Sequence, residues 1–217
     1  MQNIATDHAN SFGLGGDKMV ADYGAVWMMA RMYVRLSRPI ANGDELRLTT
    51  WHRGADKTAV VNRDFDIFAG DERIGEAVIS WVIVDVALRK LVKPLALTIV
   101  ADSPVPCVVK DIVPGKIKPP EYMTQEMTRI VRYSDTDLNG HMNNTKYVDI
   151  ACDAVQYEKL TGKFISEVQI NYMQECFPGE ELMISRGEQD GLEYVRGADK
   201  EGKVRFDVGL RIEDIPE

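Results

Sequence analysis

The residues best suited to chemistry are crowded into one stretch. Between Tyr133 and Tyr147 the chain sets Asp137, Asn139 and His141 at alternate positions, followed by Asn143 and Asn144. On an extended segment alternate side chains point the same way, so a carboxylate, an amide and an imidazole are expected on one side. A helical pattern begins within a few residues, and a helix start offers unpaired N–H groups and a positive dipole end. Together these are the parts acyl transfer uses: groups that move a proton and donors for a developing oxyanion. The same residues also suit a polar loop in which Asp and Asn make turn and cap hydrogen bonds. A second cluster, Gln174, Glu175 and Cys176, ends a strand and is flanked by Met173 and Phe177. Partial desolvation there would raise the carboxylate toward the range of a general base. Cys176 would be a nucleophile if a nearby imidazole favoured its thiolate. Taken singly, Glu175 also reads as a solvated strand-end charge and Cys176 as a small buried hydrophobe.

Elements that could hold these residues can be read from periodicity. In the second half, a strand-like run at Glu126–Tyr133 leads into the polar segment, and a helix is expected from Asn144 to about Leu160, with Asn143 or Asn144 as its N-cap. Strands are expected at Ser166–Met173, Glu181–Glu188, Leu192–Gly197 and Val204–Ile212; in the last, Val204, Phe206, Val208, Leu210 and Ile212 should share a face. The first half ends the same way, with strands at Trp27–Leu36, Glu45–Arg53, Thr58–Phe68 and Arg73–Val86. The turn Asn42-Gly43-Asp44 answers Pro178-Gly179-Glu180, which points to an internal repeat. The position of Glu175 is then held by Pro39 in the first half, so only the second half carries the carboxylate. Five of the nine prolines fall between Ala101 and Pro120. Proline removes backbone donors and blocks helix, so this stretch reads as a linker. The expected organisation is therefore 1–100, a 101–120 linker and 121–217. Each half is an α+β unit whose antiparallel sheet wraps a central helix. The first half opens inside its helix, with Met1–Gly13 answering Tyr147–Leu160, and reads as lacking an N-terminal strand.

Composition excludes several classes. The 217 residues carry 26 Lys and Arg against 34 Asp and Glu, a net charge of -8, which argues against general affinity for nucleic acid. Three cysteines (Cys107, Cys152, Cys176) without a C-x-x-C pair, and three histidines (His8, His52, His141), make no zinc pattern. Sparse cysteine fits a reducing compartment. The longest apolar run, about Ala77–Val84, is far short of the ~20 residues of a membrane span. No secretory signal pattern is visible at Met1, and the expected location is the cytoplasm. Gly13-Leu14-Gly15-Gly16 follows no strand and is not a dinucleotide fingerprint, and no cofactor is expected.

The segment Arg132–Val148, with Asp137-x-Asn139-x-His141-x-Asn143-Asn144, followed by Asn171–Cys176, closely resembles the acyl-acyl-carrier-protein (ACP) thioesterases of bacteria and plants. Gly43–Trp51 and Ile79–Asp85 resemble the N-terminal half of that family, so the likeness runs over nearly the whole chain. It implies two tandem hot-dog domains and hydrolysis of a fatty-acyl thioester on ACP. It places the catalytic set on Asp137, Asn139, His141, Glu175 and Cys176. It leaves open a cysteine nucleophile with His and Asn, or a carboxylate that activates water. We favour the second, with Asn139 and the helix start polarising the carbonyl, His141 orienting or shuttling a proton and Asp137 holding the pair. The resemblance also puts the acyl tail in the first domain, around Trp27, Met28, Met29 and Met32. An acidic carrier would need a local basic surface, for which Arg31, Arg35, Arg38 and Lys146 are candidates. A homodimer is compatible with the sequence. The alternatives are an acyl-CoA thioesterase of the same fold and a non-catalytic acyl-binding module. A hydratase of that fold tends to an Asp-x-Asn-Pro-x-His spacing, one residue longer than Asn139-Gly140-His141 allows.

Overall fold

Strand-forming runs of alternating apolar residues dominate both halves, and the computed structural model, which describes residues 1–54, 57–94 and 111–216, builds two sheet-based units from them. One comprises Met1–Val34 with Ile40–Pro114, the other Arg35–Pro39 with Gly115–Glu217. Of the proline-rich stretch, 111–120 is described and has no regular structure, while 101–110, with Cys107, lies outside the described residues.

In the first unit, α1 (Gln2–Ser11) and α2 (Gly16–Tyr23) precede β1 (Ala25–Leu36), β2 (Leu46–His52), β3 (Val60–Ala69), β4 (Glu72–Asp85) and the short β5 (Leu91–Val92). The strand order is β2-β3-β4-β1, with β5 on β4. Met19 of α2, Ala25 and Ile83 form a buried cluster that packs against Leu14 and Trp27. A second helix was not expected here. Glycines bound it: Gly15 is its N-cap and Gly24 its left-handed C-cap at φ 60°.

In the second unit, β6 (Thr124–Ile130) leads through a 3₁₀ turn (Tyr133–Asp135) to α3 (Lys146–Ala154) and α4 (Tyr157–Leu160). Then come β7 (Lys163–Tyr172), β8 (Glu181–Gln189), β9 (Leu192–Ala198) and β10 (Val204–Asp214). The order is β7-β10-β9-β8-β6, and the paired strands are antiparallel. The expected helix to Leu160 is two pieces, because Val155 turns extended (ψ 139°) after α3 and keeps its side chain buried. Tyr147, Ile150, Ala151 and Ala154 form the buried stripe of α3, as their i, i+3, i+4 and i+7 spacing demands. They face β8, β9 and β10, where Phe206, Val208 and Leu210 are fully buried.

The residues between these are buried too, which simple alternation does not foresee. Asp207 is fully buried and accepts both Nε (2.7 Å) and Nη2 (3.0 Å) of Arg196 on β9. The segment after Pro114 crosses this outer face. Asn171 accepts from the Ile117 amide at 2.6 Å, and the Gly115 carbonyl accepts from Gln169 and Asn171. A Cβ on Gly187 would meet Pro120 Cγ at 2.7 Å, so glycine is what lets the strap lie flat. The first unit has a corresponding pair: Arg53 binds Asp64 through Nε and Nη2 and also donates to the Ile112 carbonyl.

The two turns that suggested a repeat share one geometry. Gly43 and Gly179 both take positive φ (97° and 85°). In each turn an acidic side chain accepts the amide three residues earlier, Asp44 from Ala41 at 2.8 Å and Glu180 from Phe177 at 3.1 Å. Among the described residues the first unit's sheet has no strand matching β6.

Candidate active site

The Asp137–His141 segment is a tight turn rather than an extended strand. The isolated bridge between Thr136 and Met142 closes it, the Asp137 amide donates to the His141 carbonyl (3.0 Å), and the Gly140 amide donates to the Asp137 carbonyl (3.1 Å). Gly140 at φ 80° supplies the left-handed residue this turn requires. The Asp137 carboxylate Oδ1 accepts the Asn139 amide at 2.8 Å, an Asx turn. Asp137 and His141 therefore meet because the chain folds back on itself, not because alternate residues share a face. Their Oδ2 and Nδ1 are 3.7 Å apart.

On the other side of the ring, His141 Nε2 lies 3.6 Å from Glu175 Oε1. The imidazole thus stands between two carboxylates, all three groups partly exposed at 20–35% of the side chain. Both separations exceed direct hydrogen-bond reach, as is common where a catalytic contact tightens only around substrate. One backbone bond ties the two loops together: the Met142 amide donates to the Cys176 carbonyl at 2.8 Å. Asn139 is exposed, and among the described residues no hydrogen bond engages its side-chain amide.

Helix α3 starts next to this turn. Its N-cap is Thr145, not Asn143 or Asn144, but Asn143 Oδ1 accepts both the amide (3.0 Å) and the hydroxyl (2.8 Å) of Thr145. Asn143 is itself anchored, its amide donating to the Asp135 carbonyl. Asp135 is buried and holds Arg129 Nη2 (2.8 Å) and the Arg132 amide (2.7 Å). Below the helix start, the Tyr147 ring stands edge-on to Tyr172 (5.1 Å) and Phe206 (5.0 Å), and Tyr172 donates to the Asn144 carbonyl at 3.1 Å.

Cys176 is fully buried. Burial pushes its thiol up to about 11, more than the Tyr147 hydroxyl beside it brings it down. A group neutral in the fold at pH values where the unfolded thiol ionises favours the folded state below the unfolded value, near 8.5–9, and loses that advantage as pH rises toward 11. Stability should therefore fall between pH 9 and 11, and Cys176→Ala should flatten that fall; Tyr147 and Tyr172, also pushed up by burial, leave a residual slope. Chemical denaturation at pH 8, 9.5 and 10.5 measures it. Peptide mapping after alkylation at pH 8 should find Cys176 unmodified until denaturant is added.

The expected acyl-lining residues all lie on β1 of the first unit. Trp27 and Met29 share one face of β1, where the Trp27 indole donates to the Leu14 carbonyl at 3.0 Å; Met28 and Met32 occupy the opposite face. Of the basic candidates, Arg31 donates to the Pro114 carbonyl and Lys146 pairs with Asp149 at 3.1 Å. His8 and His52 belong to the first unit, where Arg63 meets His8 Nδ1 at 2.7 Å. Among the described residues no group of three His, Cys, Asp or Glu side chains is placed to hold a metal, and no helix is long and apolar enough to cross a membrane.

Sequence comparisons give the family and structural comparisons the fold. The acyl-ACP thioesterase N-terminal domain model matches residues 1–96 and the C-terminal domain model residues 119–212, so the chain belongs to the acyl-ACP thioesterase family. It is 25% identical over 204 residues to the chloroplastic oleoyl-acyl carrier protein thioesterase of Coriandrum sativum, a match covering 81% of this chain and 52% of that protein. The chain thus spans about half the length of the curated relatives it matches. A crystal structure of an acyl-ACP thioesterase from Bacteroides thetaiotaomicron superposes with a TM-score of 0.82 at 23% identity, covering 98% of this chain and 86% of that one. The 12:0-ACP thioesterase from Umbellularia californica gives 0.75 at 20% identity, covering 98% and 85%. The fold is the hot-dog fold of these enzymes, antiparallel sheets with few helices.

Proposed function

We propose that the chain hydrolyses the thioester of fatty acyl-ACP, releasing the free fatty acid and the carrier thiol. The observation that carries this reading is the imidazole of His141 standing between the carboxylates of Asp137 and Glu175, beside the start of α3. Glu175 acts as general base and takes a proton from water as its oxygen attacks the thioester carbon. Asn139, whose side-chain amide is exposed, and the N-terminal end of α3 stabilise the oxyanion. The carbon–sulfur bond then breaks, and the proton returns to the thiolate through His141. Asp137 fixes the Asn139 backbone and faces the ring nitrogen remote from Glu175. Cys176 is given a packing role in the core: burial pushes its thiol up to about 11, which leaves little thiolate near neutrality.

The acyl tail is assigned to β1 of the first unit, where Trp27 and Met29 share the face that packs on Leu14 and Met19. The carrier is assigned to a basic surface that includes Arg35 and Arg38, since an acidic chain must meet an acidic carrier locally.

Assay of free thiol and free acid from saturated acyl-ACPs of different length, beside the matching acyl-CoAs, tests the reading. Turnover of acyl-ACP at a kcat/KM at least about 10-fold above acyl-CoA is expected, a 1.4 kcal/mol preference supplied by carrier contacts. Equal turnover of both would move the assignment to an acyl-CoA thioesterase, and hydrolysis of neither to a binding protein.

A further inference from the structure

The geometry points to Arg205, at the start of β10, as the residue that positions Glu175, an inference that rests on the general-base reading above. Glu175 sits in the loop between β7 and β8, where no sheet ladder holds it. One residue ties that loop down from both its backbone and its side chain. The Arg205 carbonyl accepts the amides of Met173 (2.9 Å) and Gln174 (3.1 Å). Its guanidinium Nη1 donates to the Glu175 carbonyl (3.1 Å) and to Gln174 Oε1 (3.2 Å). Nη2 reaches Glu180 Oε1 at 3.1 Å and Asp199 Oδ2 at 3.3 Å.

The two acids make this a clamp rather than a loose contact. Glu180 uses its other oxygen to accept the Phe177 amide, closing the turn that follows Glu175. Asp199 uses its other oxygen to accept the amides of Glu201 and Lys203, closing the turn before β10. Arg205 therefore joins two closed turns and grips the backbone of Glu175 between them. Its side chain is 15% exposed, so water competes little for these bonds. Register supports the placement: Phe206 pairs with Tyr172, which sets Arg205 opposite the point where β7 ends. A guanidinium can serve four acceptors in one plane; an ammonium cannot.

Arg205 touches no reacting atom in this account and acts through Glu175 alone. With the base held about 3.6 Å from His141 Nε2, a shift of about 1 Å is enough to cost roughly 100-fold in rate.

The test is a cycle on acyl-ACP turnover with Arg205→Lys, Arg205→Met and Glu175→Gln, singly and combined. Arg205→Lys keeps a cation near Glu180 and Asp199 but gives up part of the clamp, so its melting temperature should fall by roughly 2–8 °C; kcat, read at temperatures where circular dichroism shows the variant folded, should fall roughly 10- to 100-fold with KM within about 3-fold. In the Glu175→Gln background the same substitution should change kcat by less than about 2-fold, because the base it positions is gone. Arg205→Met, read for kcat only at temperatures where circular dichroism shows it folded, should fall at least as far as Arg205→Lys. Unchanged kcat in both Arg205 variants, with Glu175→Gln inactive, would overturn the positioning role and leave the general base standing. An equal proportional fall in both backgrounds would show that Arg205 acts independently of Glu175 and would also overturn it. Full activity of Glu175→Gln would remove the general-base reading and this inference together.

Discussion

Glu175→Gln is expected to lower kcat on acyl-ACP by about 1,000-fold or more while KM and melting temperature stay close to those of the parent. General-base catalysis contributes typically 10²–10⁴-fold, and an amide of the same shape cannot accept the proton of water. Glu175 is partly exposed and ends no ladder, so its loss leaves no buried group stranded. The Arg205 bond goes to its backbone carbonyl, which the substitution keeps. Cys176→Ala beside it should keep turnover within a few-fold. Removing a buried sulfur leaves a small void and costs stability of about 1 kcal/mol or somewhat more, without removing a reacting group. A cysteine nucleophile requires the reverse pattern. Steady-state kinetics on the two variants, with thermal melts as the control for folding, distinguish them.

The second large effect is structural and reaches the site through packing. Gly197 on β9 pairs with Phe206 on β10, and a Cβ at Gly197 would lie 2.1 Å from Cε1 and 2.5 Å from Cζ of that ring. Phe206 is fully buried and stands edge-on to Tyr147 in the first turn of α3, so it has nowhere to retreat except into the helix. Gly197→Ala should cost about 3 kcal/mol, the upper part of the range for overpacking a closed core. In a chain of this size that is a fall in melting temperature of roughly 6–12 °C. The remaining folded protein should also lose activity, because Tyr147 carries the helix start that lies beside Asn143 and His141. Gly115→Ala is the control. Nothing lies within 4 Å of its Cβ and its backbone needs no left-handed conformation, so melting should move by no more than about 1–2 °C. Calorimetry on the three proteins checks both statements.

The strands were legible because a half-buried sheet writes its period of two directly into the chain; Val204, Phe206, Val208 and Leu210 mark β10 without reference to anything else. What that pattern hid was the second covered face. Asp207 and Asn171 look solvent-bound in sequence and are buried, since only folding reveals the strap of Gly115–Tyr122 that crosses them. Helix α2 was missed for a related reason: its boundaries are glycines, and a glycine reads as loop until its cap geometry is seen. At the site the residue types were legible, but the reason for their meeting was not. Alternation suggested an extended segment, whereas Gly140 reverses the chain and brings Asp137 to His141 across a turn. The four residues Trp27, Met28, Met29 and Met32 were read as one lining group, and strand geometry divides them between two faces. Arg205 was hard to read from sequence, because the side chains and carbonyl it grips in the Glu175 loop, on Gln174, Glu175 and Glu180, lie 25–31 residues away and come near once β10 pairs with β7. An arginine at the mouth of a strand whose next residues are all buried is the one hint the chain carries.

In the proposed mechanism water, activated by Glu175, attacks the thioester directly with no acyl-enzyme. Intact-mass spectrometry of the protein, acid-quenched at several points of a single turnover with acyl-ACP, tests it most directly. The expected result is that the protein mass stays unchanged at every point while free fatty acid accumulates. A transient increase equal to one acyl group, mapped to Cys176 and absent in Cys176→Ala, would contradict it.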